Sequence, residues 1–312
     1  MAPPIIAFDY DGSPYGQKIR LLLTALKIPF SRLDQPIILP RPDLAALGIT
    51  YRRIPLLAIG KDVYADTACI TSAVISNIAS LGGDPDALTF GPADKAFEVW
   101  GVAAFREVAS GLLDPTKLPK EFIKDRATIL PSIKRPDAAT LRPSGLASLK
   151  ARMLQVENGF LGAGGPFING SKISLADINA AWPFRWALFQ LQVRREPGFG
   201  PQDFPKLYKL LESLPKPAPT NLKVQEVHST IRGGSYWAQS PSAVAQVDPL
   251  RLKTGVEVKI EDFDAAPGAH IQVGKLIGTT ENETVVEVGK DGIRLHYPRV
   301  GYIVRPVEKS NL

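Results

Sequence analysis

Cysteine is the scarcest reactive residue in this 312-residue chain: Cys69 stands alone. A single thiol excludes an internal disulfide framework and fits a reducing compartment. Histidine is almost as rare, and all three, His228, His270 and His296, fall late in the chain without metal-ligand spacing. No metal is therefore expected, and the histidines read as structural or surface groups. No apolar run approaches the roughly 18 residues that a membrane span needs. Glycine-rich phosphate loops, nucleophile elbows and paired-carboxylate motifs are missing too. The start, Met1 to Tyr10, has no basic region and meets an acid at Asp9, so it does not read as a secretory leader, and a cytoplasmic protein is expected.

What is present is an ordinary soluble composition, 45% apolar and 22% charged. The net charge of +6 is mildly basic. Lys and Arg are scattered among acids rather than striped between aromatics, so nucleic acid is not an expected partner. The length suits two domains, or two and a small module.

The first 80 residues read β-α-β-α-β-β-α. Ile5 to Tyr10 is a short strand closed by Asp11-Gly12. Ser13-Pro14 sets a cap residue before a proline at the first helical position, and Ile19, Leu22, Leu23 and Leu26 follow at helical spacing, with Arg20 outside that set. Phe30 to Leu33 opens a second strand, and a proline-punctuated connection runs from Pro36 to Pro42. Leu56–Ile59 and Val63–Ala65 flank Gly60-Lys61-Asp62 as a hairpin, after which Asp66 caps a helix. Gly82-Gly83-Asp84-Pro85 reads as a linker. Helical patterns then dominate: Pro92 to Leu112, a short piece near Phe122, Leu146 to Leu161 ending at Gly162-Ala163-Gly164-Gly165, and an apolar helix led by Ser174-Leu175-Ala176-Asp177, a capping box with Asp in place of Glu. After the proline-rich stretch Pro215 to Pro219 the pattern turns to five short strands between Val256 and Val304, which suggest a small barrel. The expected domains are 1–82, 86–215 and 220–312.

Residues 5 to 80 resemble the thioredoxin-like N-terminal domain of glutathione transferases, and residues 86 to about 215 resemble their helical C-terminal domain. Four segments carry the resemblance. Ser13-Pro14-Tyr15-Gly16 through Ile19-Arg20-Leu21 is similar to the S-P-F-x-x-x-V-R-I stretch of the plant tau class and its fungal relatives. Arg53-Ile54-Pro55-Leu56-Leu57 is similar to the K-[IV]-P-V-L segment, whose proline is cis. Asp66-Thr67-Ala68-Cys69-Ile70 stands in the place of E-S-x-x-I, with Asp-Thr where the family has Glu-Ser. Ser174-Leu175-Ala176-Asp177 matches the S/T-x-A-D box. The arrangement, with its insert before Leu146, also resembles fungal glutathione-transferase-like proteins, while the tail after about residue 220 lies outside the family's fold.

The resemblance implies an α/β thioredoxin-like domain, an all-α domain and a small all-β extension. It implies glutathione as co-substrate, a small-molecule electrophile, a homodimer, and a fungal setting in secondary metabolism or detoxification. At the N-terminus of the first helix, a hydroxyl and the positive helix end would both favour a thiolate. Ser13 therefore either donates to the glutathione sulfur or simply caps its helix, and a serine there cannot form the mixed disulfide that a cysteine would. Tyr10 and Tyr15 are alternative phenolic donors, although Tyr15 also suits plain packing.

A cis Ile54–Pro55 bond would present the Ile54 backbone to an extended peptide. Asp66 would take the γ-glutamyl ammonium and Thr67 the carboxylate, unless both only cap their helix. Arg53, with Arg41 as a second candidate, would meet the glycine carboxylate or remain a surface arginine. Tyr15, Trp100, Phe105 and Arg106 would line the electrophile pocket, where core packing explains the aromatics equally well. Cys69 reads as a small core residue. The expected function is glutathione thiolate activation for conjugation, or for isomerisation through a transient adduct. The alternative is a non-catalytic glutathione-transferase-like binding protein that uses the scaffold and β extension for a ligand or partner.

Overall fold

A computed structural model describes residues 2–162, 165–238, 241, 243–244 and 247–308. Ala163 and Gly164 of the expected glycine-rich helix end lie outside the described residues. The first half of the chain runs β1 (Ile5–Asp9), α1 (Pro14–Ala25), β2 (Ser31–Asp34), α2 (Pro42–Ala45), β3 (Leu56–Ile59), β4 (Asp62–Ala65), α3 (Thr67–Ile75), α4 (Asp94–Leu112), α5 (Lys120–Arg126) and α6 (Arg142–Leu154). The second half runs α7 (Leu175–Arg185), α8 (Pro205–Ser213), β5 (Thr220–Asn221), α9 (Val224–Gly233), β6 (Glu257–Asp262), β7 (Gln272–Thr279), β8 (Glu283–Val288), β9 (Ile293–Pro298) and β10 (Tyr302–Pro306). Two compact units result: Met1–Asp11, Phe30–Asn77 and Pro219–Leu312 form one, Gly12–Pro29 and Ile78–Ala218 the other.

In the first unit every strand belongs to one sheet of order β10-β6-β7-β8-β9-β4-β3-β1-β2-β5. β1 is buried along its whole length, as a continuous apolar run should be at the centre of a sheet. It pairs in parallel with β2 and antiparallel with β3, which turns at Gly60 into antiparallel β4. Gly60 sits at φ +61°, a conformation open to glycine at no steric cost. This β1-α1-β2, β3-β4-α3 order is thioredoxin-like.

The tail strands, whose alternation suggested a small barrel, belong to the same sheet as the first four strands. They run β6-β7-β8-β9 antiparallel, with β10 on β6, and β9 then pairs in parallel with β4, Val63 beside Leu295 and Tyr64 beside His296. Alternation reports that a strand has one buried face but not what covers it. The outer edge of β4 supplies the partner, and an edge strand that would otherwise expose unpaired backbone is covered. One apolar core follows from this pairing. Phe8, Leu56, Val63 and Ala65 of the first strands are buried with Val258, Ile260, Leu276, Val286, Leu295 and Tyr297 of the tail, and with Val227 and Ile231 of α9. At roughly 1.5–3 kcal/mol for each large apolar side chain removed from water, these contacts make the two groups of strands one folding unit.

A polar clasp reinforces the β4–β9 seam. His296 is fully buried, its Nε2 2.9 Å from Asp62 Oδ1 and its Nδ1 3.2 Å from Glu283 Oε2, and its ring stacks on Tyr64 with centroids 4.5 Å apart. The other Asp62 oxygen accepts the Trp237 and Ala238 N–H groups at 2.6 and 2.9 Å.

The second unit packs helices. α4 lies against α6 and α7, and α1 against α7. Ser174 and Asp177 form the expected capping box at the start of α7. Arg20, expected outside the apolar face of α1, is buried, as is Lys18, which sits 3.6 Å from Glu98 of α4. The α4–α6 approach depends on two glycines: a Cβ on Gly111 would lie 2.5 Å from Gly145 Cα. No helix among the described residues is long and apolar enough to cross a membrane.

Two outcomes test this packing. Burial pushes the His296 imidazole down, but hydrogen bonds to Asp62 and Glu283 outweigh it and hold it above its ordinary value. A group raised on folding contributes stability that is full below its unfolded pKa, about 6.5 for histidine, and is lost as pH rises through the folded value. Urea unfolding should therefore show a midpoint that falls as pH rises above about 6.5, and His296→Gln should flatten that fall. Separately, Gly111→Ala should lower stability by about 1–3 kcal/mol in denaturant melts through overpacking. Gly159→Ala, where a new Cβ meets nothing within 4 Å, should stay within about 0.5 kcal/mol.

Candidate functional site

The residues singled out from the sequence fall into both units, and each group has its own surroundings. In the first unit the chain arrives at β3 through Arg53-Ile54-Pro55, and the Ile54–Pro55 peptide is cis. Ile54 lies just outside the ladder, since the pairing of β3 with β1 and β4 begins at Leu56. β4 then delivers the chain to Asp66 and Thr67 at the start of α3. Asp66 caps that helix, its Oδ1 accepting the Ala68 N–H at 2.8 Å. It does so at φ +69°, a left-handed conformation uncommon outside glycine. Thr67, the first helical residue, is buried.

Neither Arg53 nor Asp66 stands by itself. Arg53 Nη2 meets Asp264 Oδ1 at 2.5 Å, and Nε lies 3.2 Å from Asp262 Oδ1. Asp66 Oδ2 accepts the Tyr302 hydroxyl at 3.1 Å, and Tyr302 is in turn 2.6 Å from the Tyr51 hydroxyl. With Tyr302 donating to the carboxylate, Tyr51 donates to Tyr302. Tyr297 closes the cluster, its ring centroid 5.4 Å from Tyr51 and 5.2 Å from Tyr302.

Electrostatics follow from this enclosure. Burial, with the Asp262 carboxylate nearby, pushes the hydroxyls of Tyr51 and Tyr297 well above the phenol range. Burial does the same to Tyr302, helped by its neighbours Tyr51 and Asp66. These groups stay neutral donors at any physiological pH. Burial also raises the Asp262 carboxyl, and like charges on Asp264 and Asp66 add to it against Arg53. For Arg53 the order reverses: burial opposes its charge, and the Asp262 carboxylate more than restores it. Arg41, the second candidate for an anion, is buried and donates to the carbonyls of Pro36 and Arg52.

In the second unit Ser13 is the N-cap of α1. Its hydroxyl accepts the Gly16 N–H at 3.1 Å, and it is 2% exposed. A hydroxyl that accepts one bond still carries its own hydrogen to donate. Tyr15 packs between Phe105 and Trp182, with centroids 5.0 and 4.8 Å away. Trp100 has different neighbours: its ring meets Phe160 and Phe184. Arg106 is exposed on α4. The structure therefore brings Tyr15 and Phe105 together and gives Trp100 and Arg106 other surroundings. Cys69 is buried in α3. Among the described residues no group of three or more His, Cys, Asp and Glu is placed to hold a metal ion.

Sequence reasoning did not find Asp262, Asp264, Tyr51 or Tyr302. One signal was there to read. Val258, Ile260 and Asp262 stand at i, i+2 and i+4, so the acid continues the inward face of an alternating strand. A carboxylate in that register needs a buried partner, and Arg53 is that partner.

Comparison with known proteins gives these features a context. Residues 8–78 match the glutathione S-transferase N-terminal domain family, and residues 112–219 match a domain of unknown function, DUF7962. No curated protein matches the chain. Among solved structures, a GST-like protein from Pseudomonas syringae is similar over 98% of this chain and 100% of its own, at 22% identity and a TM-score of 0.67. The shared fold thus includes the C-terminal strands. A glutathione S-transferase of Ceriporiopsis subvermispora in complex with glutathione is similar over 69% of this chain and 100% of its own, at 17% identity and a TM-score of 0.48. A tau class glutathione S-transferase from mango is similar over 73% and 98%, at 15% and 0.45.

The tyrosine relay yields an expected outcome. Tyr302→Phe leaves the buried Tyr51 hydroxyl without its acceptor and should lower stability by about 1–3 kcal/mol. Adding Tyr51→Phe should recover part of that loss, which a double-mutant cycle in denaturant melts would measure as a coupling between the two hydroxyls.

Proposed function

We propose that this chain, whose residues 8–78 are a glutathione S-transferase N-terminal domain, activates the thiol of glutathione for attack on an electrophilic small molecule. The observation that carries the reading is Ser13, a hydroxyl at the N-terminus of α1, to which the resemblance assigns the role of thiol donor. An ordinary cysteine thiol titrates at about 8.5, so little of it is thiolate at neutral pH. A donated hydrogen bond from Ser13, together with the positive end of α1, would favour the anion. The Ile54 backbone would pair with the cysteinyl residue, and the start of α3 at Asp66 and Thr67 would receive the γ-glutamyl end. Arg53 would face the far end of the peptide. Tyr15, Phe105, Trp100 and Arg106 are proposed for the electrophile's side. Conjugation and isomerisation through a transient adduct use the same thiolate, and a homodimer is the proposed assembly.

The second reading, a binding protein without turnover, is favoured by one observation: Arg53 and Asp66 already hold partners from the C-terminal strands.

Calorimetry with glutathione and turnover of an activated chlorodinitrobenzene separate the two. The enzyme reading expects saturable glutathione binding and turnover, and Ser13→Ala should lower kcat/KM by about 10²-fold, as removal of one donor to a developing anion does. The variant should also move the pH–rate profile toward the free-thiol value. Binding without turnover supports the binding protein, and unchanged turnover in Ser13→Ala refutes the role given to that hydroxyl.

A further inference from the structure

The two carboxylates on Arg53 come from β6 and the turn after it, and the thiol-activation reading makes no use of them. The argument rests on that reading, in which an extended γ-glutamyl thiol lies against Ile54. A peptide added antiparallel there sets its cysteinyl residue opposite Ile54 and its next, C-terminal residue beside Arg53. Its N-terminal end then points toward α3, the proposed γ-glutamyl position. A terminal carboxylate would thus arrive at Arg53, a cation that already meets Asp262 and Asp264.

That guanidinium is already engaged. Asp264, itself exposed, accepts from Nη2 at 2.5 Å, and the buried Asp262 lies 3.2 Å from Nε. A further carboxylate would have to share the guanidinium with Asp264 and Asp262 and approach both of them in a site drier than water, where like charges repel more strongly. An amide, ester or ammonium at the same place meets no such repulsion. Burial is the main cause that raises the Asp262 carboxyl, against Arg53, and the like charges of Asp264 and Asp66 add to it. Discrimination of this kind comes from what the site refuses.

We propose that Asp262 and Asp264 are specificity-determining residues, which select at Arg53 a γ-glutamyl thiol that lacks a free carboxylate at its C-terminal end. The C-terminal strands thereby become part of the binding site.

The test is calorimetric titration of the full chain with glutathione and with glutathione monoethyl ester blocked at the glycine carboxylate. The ester should bind about tenfold more tightly, a difference of about 1.4 kcal/mol. Asp264→Asn, a change at an exposed position, should narrow or reverse the preference by strengthening glutathione binding. Asp262→Asn, checked for folding by thermal melting, should act in the same direction. Glutathione binding as tightly as the ester, or tighter, in the wild type overturns the selectivity and leaves the proposed function standing. A preference for the ester that persists unchanged in Asp264→Asn overturns the assignment to the acid pair. Binding of neither thiol refutes the proposed function, and the selectivity with it.

Discussion

The parallel pairing of β4 with β9 is the contact on which the rest of the first unit depends. It joins strands separated by more than two hundred residues into one sheet, and a parallel pair of that kind needs burial on both faces. The apolar core supplies the burial, and the Asp62–His296–Glu283 clasp fixes the register through directional bonds that a slipped pairing would break. A one-residue slip would also turn Leu295 out of the core and leave the buried Asp62 without its bond to His296.

Once that seam is set, the geometry around α3 follows. β6 and β10 are carried to the place where Asp262, Asp264 and Tyr302 meet Arg53, Tyr51 and Asp66. Residues 51–66 lie within the span that matches the glutathione S-transferase N-terminal domain family, and the C-terminal strands reach them. The left-handed backbone of Asp66 is held from both sides, by the Ala68 N–H within α3 and by the Tyr302 hydroxyl from β10. The C-terminal strands thus set the charge and hydrogen bonding around Arg53 and Asp66.

Much of this was legible in the chain. The β-α-β order, the cap at Ser13, the hairpin at Gly60 and the capping box at Ser174 and Asp177 are local features, each written in a few adjacent residues, and each appears in the structure. The tail was legible only as strands. Its alternation fixed which side chains point inward, and suggested a small barrel, but the partner, the edge of β4, lies far away in sequence. The same distance hid the acid pair. Asp262 ends an inward-facing row, but nothing near it in sequence names Arg53 as its counter-ion. His296 is a third case: one histidine at a strand end looks structural, and only the fold shows the carboxylates on both of its nitrogens.

The central claim is that the C-terminal strands and the thioredoxin-like strands form one cooperative unit around the Arg53–Asp66 cluster. Native-state hydrogen exchange tests it most directly, because it reads the opening free energy of each strand. The account predicts that amides of β3, β4, β8 and β9 exchange through a single opening of the same free energy. Early exchange of β8 and β9 with β3 and β4 still protected would contradict it, and would make the C-terminal strands a separately folding appendage.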